Sequence, residues 1–203
     1  SLKLARTGAS DASADAILRF ELLESLDVSG NNISNTAVRR IVDNSSRLRE
    51  LRVSNAAPDS IEGFRTIDRL YISGSGSEAF YEALQSVSAI VELAASFPPR
   101  RSQSLPPHLK NLTVASPIDA DALGPIFQSP SIETLSIETD GDAYIQLNDT
   151  DLPLLRELYA QEQGLTDDSL QRLAARPRLE ALYISDNPLT DRGVGFQIGR
   201  AHV

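Results

Sequence analysis

The sequence predicts an α/β solenoid: about nine short parallel strands stacked side by side, each joined to the next by a helical or looped return leg. Three observations predict it. First, an apolar-x-x-Leu-x-apolar pattern recurs along the chain, with central leucines at Leu2, Leu26, Leu51, Leu70, Leu93, Leu112, Leu135, Leu158 and Leu182. Their spacings are 24, 25, 19, 23, 19, 23, 23 and 24 residues. Second, the Leu-x-apolar alternation in each copy marks a strand with one buried face. One such strand cannot bury that face alone, whereas copies stacked in parallel share a continuous core. Third, the 203 residues are 41% hydrophobic and 23% charged, enough apolar material for a packed interior. No run of 18 apolar residues is present, so no membrane span is expected.

The strands are expected at Leu23-x-x-Leu26-x-Val28, Leu48-x-x-Leu51-x-Val53, Ile67-x-x-Leu70-x-Ile72, Ile90-x-x-Leu93-x-Ala95, Leu109-x-x-Leu112-x-Val114, Ile132-x-x-Leu135-x-Ile137, Leu155-x-x-Leu158-x-Ala160 and Leu179-x-x-Leu182-x-Ile184, with a truncated copy at Leu2-x-Leu4. Leu26 to Leu182 are expected to form one buried column. Asn31 and Asn187 stand five residues after a central Leu, where an amide can bond the backbone of the turn and stacked turns can form a ladder. Ser34-Asn35-Thr36 and Thr166-Asp167-Asp168 offer helix caps. Leu170, Leu173 and Ala174 then share a helical face, as do Leu123, Ile126 and Phe127, and Phe80, Leu84 and Val87. The two 19-residue spacings leave too little chain for a full helix, so the strands at Leu51 and Leu93 should return by a loop or a single turn. A Pro-rich stretch from Phe97 to Pro107 reads as an extended loop, because proline lacks the donor a ladder needs.

The units Leu179-Glu-Ala-Leu-Tyr-Ile-Ser-Asp-Asn-Pro-Leu189 and Leu23-Glu-Ser-Leu-Asp-Val-Ser-Gly-Asn-Asn-Ile33 resemble the leucine-rich repeat family. The tract Leu165-Thr-Asp-Asp-Ser-Leu-Gln-Arg-Leu173 resembles its ribonuclease-inhibitor-like and F-box-associated subclasses, whose return leg is a helix. The resemblance spans residues 1–196 as a single domain. It implies a horseshoe with strands on the concave side, helices and loops on the convex side, and protein–protein binding on the concave face. It is specific for fold and unspecific for partner. The sequence departs from the pattern where the turn Asn is replaced by Ala56, Ser75, Pro98, Pro117, Asp140 and Gln163. The chain has no Met, even at position 1, and residues 198–203 resemble one translated frame of a sequencing adapter. The expectation is a fragment truncated at both ends, with 197–203 a non-native tail and exposed apolar residues at Leu2 and Leu4.

Composition narrows function. No Cys means no disulfide, thiolate metal site or cysteine nucleophile, and two His leave little for histidine catalysis. A net charge of −9 repels phosphate backbones, which argues against nucleic-acid partners. Gly74-Ser-Gly-Ser-Glu-Ala79 fits a dinucleotide fingerprint, but the repeat register already accounts for it as the turn after a strand. Glu138 to Asp168 carries nine acids and one base, Arg156. Asp140, Asp142, Asp149 and Asp151 offer oxygen ligands without any known calcium-loop spacing, so a solvated acidic surface is the reading adopted. His108 is expected to be an exposed loop residue.

The expected function is a non-catalytic protein-interaction module. The alternatives are the substrate-recognition arm of a larger ubiquitin-ligase-like or effector protein and, more distantly, a nucleotide-binding enzyme using the Gly74–Ala79 loop. Neither cofactor nor metal is expected. The candidate partner-binding residues are Asp27, Arg52, Tyr71, Thr113, Ser136, Glu157, Tyr159 and Tyr183, all on the strand face turned from the core. Three of the chain's five tyrosines stand in the single column after the central Leu, and tyrosine is enriched where binding energy concentrates. Arg52, Arg69 and Lys3 should make that face basic near its start, and Glu138, Glu157 and Glu162 acidic near its end. The matching partner is a protein with a basic patch, with neither nucleic acid nor membrane expected. The compartment is left open, leaning to the cytoplasm.

Overall fold

The computed structural model describes residues 1–54, 64–73, 78–87, 89–99, 103–115, 120–138, 148 and 150–193. It divides into two compact units, Ser1–Phe97 with Gln103–Leu109, and Pro98–Ser102 with Lys110–Val203. Both are built from the same repeat.

In the first unit, β1 (Leu2–Lys3), β2 (Ser25–Asp27), β3 (Glu50–Ser54), β4 (Arg69–Ser73) and β5 (Glu92–Ala95) pair in sequence order, all in parallel. The central leucines define the register: Leu2 sits opposite Leu26, Leu26 opposite Leu51, Leu51 opposite Leu70 and Leu70 opposite Leu93. The second unit repeats this with β6 (Asn111–Val114), β7 (Thr134–Ile137), β8 (Glu157–Tyr159) and β9 (Ala181–Tyr183). There Leu112, Leu135, Leu158 and Leu182 stand in line. Parallel strands need a crossover between them, and the return legs supply it. The fold is therefore the α/β leucine-rich-repeat solenoid that the spacing predicts.

The return legs contain a 3-10 turn at Asp11–Ser13 and α1 (Ala14–Ile17), α2 (Asn35–Asp43), α3 (Glu78–Leu84), α4 (Ala120–Phe127) and α5 (Asp167–Ala174). The expected caps are in place: the Ala37 amide donates to Ser34 Oγ at 3.2 Å and the Ser169 amide to Thr166 Oγ1 at 3.5 Å. α2 buries Ala37, Val38, Ile41 and Val42, and α5 buries Ser169, Leu170 and Leu173. Ala174 is only half-buried. Phe80, Leu84 and Val87, and Leu123, Ile126 and Phe127, are buried as expected. After β5 the described residues as far as Lys110 contain no helix, in line with the 19-residue spacing. The other short leg, 55–63, lies outside the described residues. So do Gly74–Ser77 of the fingerprint, Ala56, Ser75, Pro117, Asp140, Asp142 and Asp149, and the tail 197–203.

The core is one motif multiplied. Leu26 and Val28, Leu51 and Val53, Leu70 and Ile72, Leu93 and Ala95, Leu112 and Val114, Leu135 and Ile137, and Leu158 and Ala160 all point inward and are buried. Leu182 corrects the expectation of a uniformly buried column, because it is only half-buried, as are Leu179 and Ile184. The reason is one-sided packing: no described strand pairs with the far edge of β9. In the first unit, Leu2 and Leu4 are half-buried.

The Pro-rich stretch is less solvated than a plain loop. Leu105 and Pro106 are buried, and the Gln85 side-chain amide donates to the Ser104 carbonyl. Its start belongs to an aromatic cluster. Phe80, Tyr81 and Phe97 meet edge to face at centroid distances of 4.9 to 5.9 Å, and Tyr81 donates its hydroxyl to the Phe97 carbonyl at 2.8 Å. Burial pushes the Tyr81 hydroxyl pKa well up, so it remains a donor.

Candidate functional site

Alternation sends the residue after each central Leu to the face opposite the core. In the first unit that face is largely satisfied internally. Asp27 accepts from the Ser29 amide at 3.0 Å and the Ser29 hydroxyl at 2.6 Å, so it braces its own turn. The Arg52 guanidinium carbon lies 3.6 Å from the centroid of the Tyr71 ring, and Nε donates to Glu50 at 3.2 Å. Arg69 adds contacts to Asp68 at 3.5 Å and Glu50 at 4.0 Å. The Tyr71 hydroxyl donates to Glu92, and burial followed by that bond pushes its pKa up to about 12. The arginines expected to make a basic start thus lie against carboxylates and a ring.

The second unit arranges the same columns differently. β7, β8 and β9 place Ser136, Tyr159 and Tyr183 side by side in register. The two tyrosine rings stack face to face, with centroids 4.3 Å apart and planes inclined by 5°. That separation is close to the ~4.8 Å between strands, so the stack runs along the strand-to-strand direction. Tyr159 donates its hydroxyl to Glu157 at 3.1 Å; this bond, and then desolvation, pushes its pKa up to about 12. Tyr183 is 55% exposed. Ser136 donates to Glu138 at 3.3 Å. Ser136, Glu138, Tyr159 and Tyr183, with Gln161 and Glu162, line an open recess of about 430 Å³. Among the described residues, Glu138, Glu157 and Glu162 form no salt bridge. Thr113 is half-buried on β6, outside the recess lining.

The opposite charge is engaged along the other end of the strands. Lys110 reaches Glu133 at 2.8 Å, and Arg156 lies 4.0 Å from Glu133 and 2.6 Å from Glu180. The Lys110 bond holds the Glu133 carboxyl below its usual pKa. These pairs connect the residues two before each central Leu, a column that the sequence reading did not single out. Its signal was alternating sign at repeat spacing: Lys110, Glu133, Arg156, Glu180. With Arg156 so engaged, the recess keeps its negative charge.

The turns after the strands carry the expected ladder in duplicate. Asn31 Nδ2 donates to the carbonyls of Leu4, Val28 and Ser29, while Oδ1 accepts from the amides of Thr7 and Ala9, both at 3.0 Å. Asn187 makes the same five bonds, to Ala160, Ile184 and Ser185 and from Gln163 and Leu165. The residue just before the ladder position is left-handed in both units: Arg6 at φ 54°, Gly30 at 66°, Glu162 at 56° and Asp186 at 58°. Asp11 and Asp167 then bind the backbone amide and the hydroxyl of Ser34 and Thr190 in the following repeat. These bonds hold both carboxyls below their usual pKa.

Among the described residues no group of three His, Asp or Glu is placed to hold a metal, and His108 is exposed in a turn. No described helix is long and apolar enough to cross a membrane. The arrangement offers ring faces, carboxylates and small hydroxyls on a rigid sheet, which is equipment for recognition.

A family model agrees with the repeat reading over two segments. Described as Leucine Rich repeat, it matches residues 21–42 and 177–195, the segments that contain Asn31 and Asn187. No curated protein matches the chain. Among solved structures it is similar to internalin C2 from Listeria monocytogenes str. 4b F2365, at 18% identity and a TM-score of 0.45, covering 94% of this chain and 73% of that one. It is also similar to the internalin InlF of the same strain, at 15% identity and a TM-score of 0.45, covering 89% and 67%. In its leucine register, its parallel strands and its asparagine-bonded turns, the chain has the fold of a leucine-rich-repeat protein.

Proposed function

We propose that the chain is a non-catalytic protein-binding module that engages its partner on the concave strand face, chiefly through β7–β9. The observation that carries this is the stacked Tyr159–Tyr183 pair beside an open, negatively charged recess. Tyrosine brings a large, rigid contact area at small entropic cost, and strand-borne side chains are well positioned. Extended strand faces are the surfaces on which solenoids bind. The acids favour a partner with a basic patch, because complementary charge speeds encounter while buried rings slow release. The ribonuclease-inhibitor-like subclass is part of the same proposal, supported by the helical return legs α2 and α5.

The experiment is the double variant Tyr159→Ala/Tyr183→Ala, measured against a partner captured and identified with the parent. Loss of a central tyrosine contact should weaken binding by about thirtyfold or more. The fold should survive, because both rings stand on the solvent side. If the variant melts like the parent and binds as tightly, equally at low and high salt, the proposal is wrong.

A further inference from the structure

The geometry points to a guanidinium slot on the β7 side of the Tyr159 ring, filled in a complex by an arginine side chain of the partner. The inference rests on the protein-binding reading and deepens it by naming the group that is recognised.

The first unit shows how the same columns look when the place is filled. Arg52 and Tyr71 are register partners on adjacent strands, β3 and β4. The guanidinium lies over the ring at 3.6 Å and is held by a carboxylate two residues away, Glu50. In the second unit Ser136 and Tyr159 are the corresponding register partners on β7 and β8. Ser136 is too short to cover the ring. Tyr183 covers the β9 side of Tyr159, and because the stack runs from strand to strand, the opposite side of Tyr159 looks toward Ser136. That side borders the recess. The counterpart of Glu50 is Thr134, but a carboxylate stands on the other flank: Glu138, two residues after Ser136, accepts from the Ser136 hydroxyl.

The slot therefore repeats the ring of the Arg52 site, has Thr134 where that site has Glu50, offers Glu138 as a carboxylate on the other flank of Ser136, and holds no cation among the described residues. Guanidinium suits it better than ammonium, since its planar fork can stack on the ring while donating to a carboxylate at its edge. The Tyr159 hydroxyl donates to Glu157, which holds the ring in place, and Glu138 lines the recess as an acceptor beside it. Charge complementarity points the same way, with Glu162 lining the recess and a chain net charge of −9.

The test uses three short peptides, Gly-Arg-Gly, Gly-Lys-Gly and Gly-citrulline-Gly with blocked ends, titrated into the full chain carrying labelled tyrosine rings and followed by NMR. The arginine peptide should shift the Tyr159 ring signals and bind about tenfold more tightly than the citrulline peptide, the size of a cation–π contact removed from water. The lysine peptide should fall between them. Ser136→Arg should rebuild the Arg52 arrangement from within and abolish the response, with its circular dichroism spectrum unchanged. Glu138→Gln should weaken it while leaving the Tyr159–Tyr183 stack in place. Equal binding of arginine and citrulline peptides overturns the slot, as does a response that survives Ser136→Arg or appears only at Tyr183. Either result leaves the protein-binding reading standing, which falls separately if the double tyrosine variant keeps its partner.

Discussion

The stretch around Asn31 and the stretch from Phe64 to Phe97 belong to the same unit and solve the same problem in different ways. Each must hold a return leg against a short strand, three residues in β2 and five in β4. Around Asn31 the solution is polar: one amide satisfies five backbone groups, and Asp11 ties the previous leg to the start of α2. From Phe64 to Phe97 the solution is apolar. Phe64, Phe80 and Tyr81 are fully buried, Phe97 packs against the last two, and one tyrosine hydroxyl takes a carbonyl. The difference teaches that the strand register is kept both where an asparagine ties the repeats together and where an aromatic cluster does. The aromatic residues of this stretch pack on one another where no described asparagine makes such bonds.

The comparison can be broken most forcefully in the aromatic stretch. Phe80→Ala removes a fully buried ring from a three-ring cluster, so it should cost about 3–5 kcal/mol of unfolding free energy in a urea titration. A cost below that of the asparagine variants would mean that the cluster does not replace the ladder. Next in size come Asn31→Ala and Asn187→Ala, each of which strands several partly buried backbone groups. The expected cost is about 2 kcal/mol apiece, and the two should agree closely, because their five bonds are the same. Unequal costs would show that the last repeat, whose Leu182 is half-buried, depends on its ladder differently.

The smallest effect is the pH dependence of the aspartate ties. Asp11 and Asp167 have folded pKa values below their unfolded ones. Their contribution is therefore present above the unfolded value of about 3.9 and is lost as pH falls through the folded value. Asp11→Asn and Asp167→Asn should melt below the parent at neutral pH, with the gap closing under strongly acidic conditions. A gap that persists there would remove the charge from the explanation.

The strand register, the half-turned columns, the caps at Ser34 and Thr166 and the two ladder asparagines were legible in the residues alone. Each follows from local periodicity, since alternation fixes which face a side chain takes and a fixed spacing fixes which residues become neighbours. The same reasoning placed Tyr71, Tyr159 and Tyr183 in one column. It did not show that Arg52 would lie on Tyr71, that Tyr159 would stack on Tyr183, or that Lys110, Glu133, Arg156 and Glu180 would pair along the strand ends. Those contacts join residues 19 to 24 positions apart, through long side chains with several rotamers, and pattern assigns a face but no rotamer. Nor could pattern see that Leu182, identical in motif to Leu158, would be half-buried. Burial depends on what lies on both sides of a strand, and that is settled only when the strands stack.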